Sequence, residues 1–384
     1  MLPSQRHLFD MPREVCYLNA AAWSPLPLAA VEAGRIGAAR KARPWELADG
    51  FPEEQFERTR SAAAQLINAE PDDVALISSV GYGVSTAAKL MDLPTGSRIL
   101  MLDRDHTSPV LEWMARADEN AYQIETVVPG SNGDWTAAIL EALERPNAPP
   151  VALATISSIH WSDGGMIDLD RVQAALRLQD GKLLVDATHA AAVVDLDVER
   201  LDPDFLIFPT YKWLLGPYGR AFLYVAKRHQ HGIPLEQTGY GRKRIQSTDQ
   251  VYLSDLDYVE NARRFDMGER DFFVSLDVAA TSMELILSWG VDRVRERLTM
   301  LTTEIENGLR ANNVPVEMLR RDLRAPNVLS LSFDKGAPEN LTDRLAAVGV
   351  YAAVRLGRLR LSPHVYNDEE DCAHCIAALQ DILR

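Results

Sequence analysis

Short apolar segments alternate with amphipathic segments between residues 74 and 226, and this alternation is the strongest constraint on the fold. Largely apolar runs such as residues 151–156 and 204–208 are typical of strands that are buried on both faces of a sheet. The segments between them, such as residues 135–143, show helical periodicity and can provide the crossovers that parallel strands need. The pattern therefore predicts an α/β protein with a mainly parallel sheet between helices.

Length and charge narrow the classes of function. The chain has 384 residues, enough for two lobes, and its 55 acidic and 40 basic residues give a net charge of −15. This charge disfavours nucleic acid or an anionic membrane as a partner. No apolar run approaches the ~20 residues of a membrane helix, and the charged N-terminus does not resemble a signal peptide. We therefore expect a cytoplasmic protein.

The three cysteines do not form a disulfide framework in a chain of this length. Two of them, Cys372 and Cys375, are expected on the last helix, near the surface. They flank His374, but a metal site needs further ligands at suitable spacing, and the sequence offers none. We therefore expect no bound metal.

A lysine follows the strand that is predicted at residues 204–208. Lys212 stands where this apolar run gives way to a loop rich in Gly and Pro, at the edge of the sheet where α/β proteins bind ligands. Two interpretations fit this position. The ammonium group can bend into solvent, or burial can lower its pKa and make a neutral amine available for Schiff-base chemistry.

An aspartate ends the preceding predicted strand, at residues 182–186. Asp186 alone is compatible with a helix cap or a turn. Together with Lys212 at the same edge of the sheet, it suits pyridoxal 5′-phosphate (PLP), because a lysine holds this cofactor as an imine and a carboxylate pairs with its pyridinium nitrogen. The two stretches together therefore indicate a PLP site.

Two segments, VDATH at residues 185–189 and PTYKWLLGPYG at residues 209–219, resemble the class V aminotransferase family of fold-type I PLP-dependent enzymes. This family includes cysteine desulfurases, kynureninases, isopenicillin N epimerase-like proteins and the C–S lyase of ergothioneine biosynthesis. The resemblance runs from about residue 17 to the C-terminus. It implies a large domain with a mainly parallel sheet of the seven-stranded type and a small C-terminal α/β domain. We expect an N-terminal segment at residues 1–20 that packs with the small domain, the large PLP-binding domain at residues 21–250 and the small domain at residues 251–384.

The resemblance places the cofactor contacts at the carboxyl ends of the predicted strands. Phosphate would bind between the strand at residues 74–79 and a helix predicted at residues 84–91, mostly through backbone N–H groups, because Val80 and Gly81 replace the Thr hydroxyls of many family members. His106 fits the residue that stacks on the cofactor ring, although alone it is equally compatible with a surface loop. The catalytic residues implied are Lys212, Asp186 and His189, with His189 at the phenolic oxygen. The cofactor-binding set implied is Val80, Gly81, Tyr82, His106, Trp161, Asp186, His189, Thr210, Tyr211 and Lys212.

The segment LRLSPHVYN at residues 359–367 matches the LRxSxHxYN ending of the family. The match implies that Arg360 binds the substrate carboxylate as a bidentate fork, with Arg355 as a second candidate. A solvated strand arginine is the alternative for Arg360. Asn19 and Ala21 belong to a segment that borders the substrate site in the family, and that also fits a plain strand followed by a helix start.

Three departures from the family narrow the chemistry. No cysteine lies at residues 336–360, so persulfide formation in the manner of cysteine desulfurases is not expected, and Trp161 stands where those enzymes have Asn. Glu269 replaces a Thr that crosses the dimer interface to the neighbouring phosphate in the family. That contact is expected to be lost or replaced by Arg264 or Arg270. The resemblance still implies a homodimer with the active site at the interface.

The sequence therefore predicts a PLP-dependent enzyme that acts on an amino acid through a Schiff base at Lys212, by transamination or by β-elimination of the C–S lyase type. An epimerase-like or kynureninase-like activity and a catalytically silent PLP-binding protein are the alternatives. The complete set of Lys212, Asp186 and Arg360, without the fused DNA-binding segment of PLP-binding regulators, favours an enzyme.

Overall fold

The computed structural model describes residues 2–245 and 255–383. The strands of this part are β1 (Cys16–Tyr17), β2 (Val74–Ile77), β3 (Arg98–Leu102), β4 (Gln123–Val127), β5 (Val151–Ser157), β6 (Lys182–Asp186), β7 (Phe205–Pro209), β8 (Ala221–Val225), β9 (Leu329–Leu331), β10 (Val350–Tyr351), β11 (Ala353–Arg355) and β12 (Arg358–Leu361). The α-helices are α1 (Leu28–Lys41), α2 (Phe51–Gln65), α3 (Val80–Leu90), α4 (Thr107–Asn120), α5 (Trp135–Leu143), α6 (Leu169–Arg177), α7 (Val198–Leu201), α8 (Ser275–Trp289), α9 (Val291–Ala311), α10 (Leu341–Ala347) and α11 (Glu369–Leu383).

The central sheet has seven strands in the described part of the chain, in the order β2-β8-β7-β6-β5-β3-β4. Strands β3 to β7 pair in parallel, and β8 runs antiparallel to both of its neighbours, β7 and β2. This topology confirms the predicted α/β fold with a mainly parallel sheet. It also places the carboxyl ends of β5, β6 and β7 side by side.

Both faces of the central sheet are covered by helices. On β6, Leu183 and Val185 belong to one hydrophobic cluster and Leu184 to the other, since successive side chains of a strand point to opposite faces. This explains why inner strands such as β6 and β7 are largely apolar rather than alternating. Trp113 of α4 packs in the second cluster and is 1% exposed.

A second, three-stranded antiparallel sheet follows in the C-terminal part, in the order β11-β12-β9. The N-terminal segment contacts this part of the chain: β1 pairs in parallel with β10, and Arg6 donates hydrogen bonds to Asp371. The boundary predicted between residues 250 and 251 lies outside the described residues, and the limits of the domains stay a prediction.

Two local predictions are wrong. Helix α3 begins at Val80 rather than at residue 84, because Ser79 caps it by accepting the Tyr82 N–H at 3.1 Å. The cysteines of α11, Cys372 and Cys375, are fully buried rather than near the surface, since they lie on the helix face that packs into the main hydrophobic cluster. None of the described helices combines the length and the apolar character that crossing a bilayer requires.

Candidate active site

The ends of three neighbouring strands define the site. Asp186 is the last residue of β6, its backbone pairs with Ser157 at the end of β5, and Lys212 follows β7. Because the carboxyl ends of parallel strands meet at one edge of a sheet, the fold brings these residues together.

Lys212 is buried rather than bent into solvent, with 6% of its surface exposed. Its Nζ lies 3.2 Å from Nε2 of His189 and 5.5 Å from the centroid of the Tyr211 ring. Burial lowers the pKa of Lys212 to about 7; the Asp186 carboxylate opposes this shift, and two nearby arginine cations add to it. A large share of Lys212 is therefore the neutral amine at neutral pH.

Asp186 is buried and has one oxygen free. Its Oδ1 accepts the Thr188 N–H at 2.9 Å and also the Thr188 hydroxyl, whereas no donor among residues 2–245 and 255–383 reaches its Oδ2. Oδ2 is therefore left to accept a hydrogen bond from a ligand. The arrangement fits a cationic ring N–H such as that of PLP.

His189 is held from two sides. Its Nδ1 accepts the Trp213 indole N–H at 3.1 Å, and its backbone carbonyl accepts the Asn327 side chain at 2.9 Å. Burial lowers the pKa of His189 well below its usual value, and the Lys212 cation adds to this effect, so the ring is neutral at pH 7. The contributions of Trp213 and Asn327 were not predicted.

His106 and Trp161 meet at the edge of the site, with ring centroids 6.1 Å apart in an edge-to-face arrangement. His106 caps α4, and Asp105 accepts its backbone N–H at 2.7 Å. Asp105 also accepts the Ser157 hydroxyl at 2.6 Å, which ties His106 to the end of β5. Burial and the Lys212 cation lower the pKa of His106. The roles of Asp105 and Ser157 were not predicted from the sequence.

Arg360 is a buried cation without a counter-ion among the described residues. It is 2% exposed, its Nη1 donates to the Trp161 carbonyl at 2.7 Å, and its Nε has no acceptor. Burial and the neighbouring Arg355 lower the pKa of Arg360 to about 9, so it stays charged at neutral pH. A buried charge needs a partner, and a bound carboxylate would supply one. Arg355 lies on β11 and donates to the Val354 carbonyl.

The N-terminal segment lies beside Ser362, the residue that follows β12. Asn19 pairs with Ser362, and the Ala21 N–H donates to the Ser362 hydroxyl at 3.1 Å. No donor among the described residues reaches the buried Asn19 Oδ1. The contact of Asn19 and Ala21 with a substrate stays a prediction.

The predicted cofactor contacts in the first turn of α3 and after β7 divide into two groups. No described acceptor takes the N–H groups of Val80 and Gly81 in the first turn of α3, so they can bind an anion. The Tyr82 N–H donates to the Ser79 hydroxyl. Burial and the Glu236 charge raise the pKa of the Tyr82 phenol. The Thr210 hydroxyl donates within its own loop, to the Pro217 carbonyl at 2.5 Å.

Three further residues that were expected to contact the cofactor or its phosphate contact other parts of the chain. The Tyr211 ring packs on Tyr218, with centroids 4.5 Å apart. Arg264 donates to the Val259 carbonyl at 2.8 Å, and Arg270 pairs with Asp266. In the described part of the chain, no three His, Cys, Asp or Glu side chains are grouped so as to hold a metal ion.

Comparisons with known proteins extend over nearly the whole chain. The family model described as "Aminotransferase class-V" matches residues 17–371. An uncharacterized aminotransferase of Bacillus subtilis strain 168, YcbU, is 27% identical over 84% of this chain and 82% of its own. The apo cysteine desulfurase of Thermococcus onnurineus NA1 superposes with a TM-score of 0.85 at 18% identity, covering 100% of this chain and 99% of its own. The cystine C–S lyase C-DES superposes with a TM-score of 0.83 at 22% identity, and the match covers 96% of this chain and 98% of the C-DES chain.

Proposed function

This chain belongs to the class V aminotransferase family, and we propose that it acts on an amino acid by transamination or β-elimination, with Lys212 as the residue that binds PLP as a Schiff base. The family match confirms the predicted resemblance, and with it the predictions of an enzyme and of PLP as the cofactor.

One observation carries the proposed substrate class: the buried Arg360 guanidinium has no counter-ion among the described residues and shares a site with the buried amine of Lys212. An amino acid complements both features, because its carboxylate can pair with the arginine while its amine takes the place of the lysine. Simple burial does not explain an unpaired arginine, since an uncompensated charge inside a protein is destabilising.

The residues present fit PLP. Asp186 would pair with the pyridine nitrogen through its free oxygen, His189 would face the phenolic oxygen, and the N–H groups of Val80 and Gly81 would bind the phosphate. His106 would lie against the ring. When bound, PLP supplies an electron sink for the charge that develops at the substrate Cα.

The protein's own contribution is to hold the substrate and to move protons. Arg360 fixes the carboxylate and thereby the orientation of the Cα–H bond. Lys212 has a pKa of about 7, so its Nζ can both accept and return a proton near neutral pH. Because Lys212 and Arg360 are buried, water competes little with the substrate for either group.

Persulfide formation by a mobile cysteine does not fit this chain. Residues 336–360 contain no cysteine. Cys16, Cys372 and Cys375 are all buried, and burial raises the pKa of each thiol, so none provides an accessible thiolate. Transamination and elimination need no such group.

The proposed homodimer is supported by exposed aromatic residues next to Lys212. Trp23 is 64% exposed and Tyr218 is 74% exposed, and both line an apolar pocket of about 360 Å³ together with Tyr211. Light scattering after size-exclusion chromatography should give twice the chain mass of 42.7 kDa. A monomer at micromolar concentration would contradict the proposal. The proposed cytoplasmic location rests on charge and cysteine content, and the domain limits rest on the resemblance.

Two measurements test the function. Borohydride reduction followed by peptide mass spectrometry should place the pyridoxyl group on Lys212, and an adduct on another lysine would refute the assignment. A panel of amino acids should then yield a 2-oxo acid. Release of ammonia with it indicates β-elimination, whereas transfer of the amino group to an added 2-oxo acid, without ammonia, indicates transamination. If no amino acid reacts or changes the visible absorbance of the bound cofactor, the chain is a silent PLP-binding protein.

A further inference from the structure

A series of hydrogen bonds connects Lys212 to the segment after β12 through Trp213. The His364 Nε2 lies 3.2 Å from the Trp213 carbonyl oxygen. The Trp213 indole N–H donates to Nδ1 of His189 at 3.1 Å, and Nε2 of His189 lies 3.2 Å from Nζ of Lys212. All four side chains are buried, so water does not replace these partners.

The indole sets the direction of the hydrogen bond that reaches Lys212. An indole N–H can only donate, so Nδ1 of His189 must be the unprotonated nitrogen. Because the ring is neutral, its one proton lies on Nε2, and this N–H points at Nζ of Lys212. An ammonium group has no lone pair to accept it. The hydrogen bond therefore requires Lys212 to be the free amine.

We propose that Trp213 is a positioning residue whose indole N–H fixes His189 as the Nε2–H tautomer and thereby keeps Lys212 as the free amine that captures PLP. The inference rests on the proposed function in so far as Lys212 is the residue that binds the cofactor. Trp213 directly follows Lys212 in the chain, so the backbone that places the amine also places the indole.

The indole itself is held by His364. Nδ1 of His364 accepts the Val365 N–H at 2.8 Å, which leaves its proton on Nε2 to donate to the Trp213 carbonyl. The two rings are stacked with centroids 5.5 Å apart. Burial lowers the pKa of His364 to about 4, so the His364 ring is neutral around pH 7.

Other charged groups around Lys212 and His189 shift the protonation of Lys212 in both directions. The Asp186 carboxylate favours the ammonium form of Lys212, and the guanidinium groups of Arg360 and Arg355 favour the free amine. The groups that act on His189 are Lys212, Arg360, His106 and His160. None of these charges fixes which ring nitrogen of His189 carries the proton, whereas the Trp213 hydrogen bond does.

The test compares Trp213→Phe with Trp113→Phe in the full-length apoprotein. The rate of PLP capture, followed by the visible absorbance, should rise with pH around a midpoint near 7 in the parent. Without the indole N–H, the proton of His189 can move to Nδ1, and Nε2 can then accept a hydrogen bond from the ammonium form of Lys212. The midpoint should then rise by about 1 pH unit, the equivalent of one hydrogen bond, and capture at pH 7 should slow roughly fivefold. An unchanged midpoint in Trp213→Phe overturns the inference.

Trp113→Phe is the matched control, because Trp113 is equally buried and its indole N–H has no acceptor among residues 2–245 and 255–383. Its midpoint should equal that of the parent, and an equal rise in both variants also overturns the inference, since it would reflect general loosening of the core. The ionisation of free PLP is common to all three proteins and cancels in the comparison.

A measurement on the parent protein does not depend on the folding of any variant. Nitrogen-15 NMR of ring-labelled histidine, assigned with His189→Gln, should show Nδ1 of His189 unprotonated and Nε2 protonated. A proton on Nδ1 overturns the inference. A pyridoxyl adduct on another lysine refutes the proposed function, whereas an adduct on Lys212 with an unchanged Trp213→Phe midpoint refutes only the role of Trp213.

Discussion

Replacement of Arg360 by lysine should weaken amino-acid binding by about ten- to hundredfold and leave PLP binding nearly unchanged. In the structure the guanidinium donates from Nη1 to the Trp161 carbonyl at 2.7 Å, and no acceptor in the described part of the chain reaches its Nε. Nε and Nη2 form one edge of the guanidinium, and this edge matches the two oxygens of a carboxylate.

A lysine at this position keeps the positive charge and lacks the two parallel N–H donors of the guanidinium. Its ammonium is a point charge that must serve both the Trp161 carbonyl and the substrate, so at least one charge-assisted hydrogen bond is lost. Such a bond is worth about 1.5–3 kcal/mol, and this range corresponds to about ten- to hundredfold in affinity. PLP carries no carboxylate, so its affinity should change little.

The assay titrates the visible absorbance of bound PLP with any amino acid that perturbs it in the parent. Arg358→Lys is the matched control, because Arg358 lies on the same strand and donates to the Ser332 hydroxyl. The control should bind amino acids like the parent. If Arg360→Lys binds within about twofold of the parent, well below 1.5 kcal/mol, Arg360 does not bind the carboxylate, and Arg355 becomes the candidate.

The remaining predictions concern the lysine and the aspartate. Lys212→Ala should lose the visible absorbance of covalently bound PLP, whereas Lys227→Ala, which removes an exposed lysine, should keep it; borohydride-reducible PLP at parental occupancy in Lys212→Ala would refute the assignment. Asp186→Asn should retain PLP and slow the exchange of the substrate α-proton with deuterium by about tenfold or more. Without the carboxylate the pKa of the pyridine nitrogen falls, and a fall of about one unit corresponds to a tenfold change. Unchanged exchange by NMR would exclude this role. The pKa of Lys212 is lowered to about 7 in the fold, so the unfolded apoprotein binds more protons between that pH and about 10.4, and the fold should gain stability as the pH rises through this window. Urea unfolding of apoprotein at pH 6 to 9 should show this rise for the parent relative to Lys212→Met, and a flat difference would mean that Lys212 is not desolvated.

The sequence contained enough to predict the fold and the strands that carry the site. Local periodicity determines where strands and helices form, and parallel strands present their carboxyl ends at one edge, so the positions of Asp186 and Lys212 followed from the pattern. The cap at Ser79 was also present in the sequence, as a serine before a helical segment, and would have placed the start of α3 correctly.

Only the tertiary structure decided which groups are hydrogen bonded and which remain free. Trp213 meets His189 from 24 residues away, and Arg360 meets the Trp161 carbonyl across 199 residues of chain. Such pairs depend on how distant elements pack, which no local pattern specifies. Burial has the same origin: Cys372 and Cys375 are buried because their face of α11 meets the main hydrophobic cluster. The amine of Lys212 and the guanidinium of Arg360, which has no counter-ion among the described residues, likewise owe their chemistry to surroundings assembled from the whole chain.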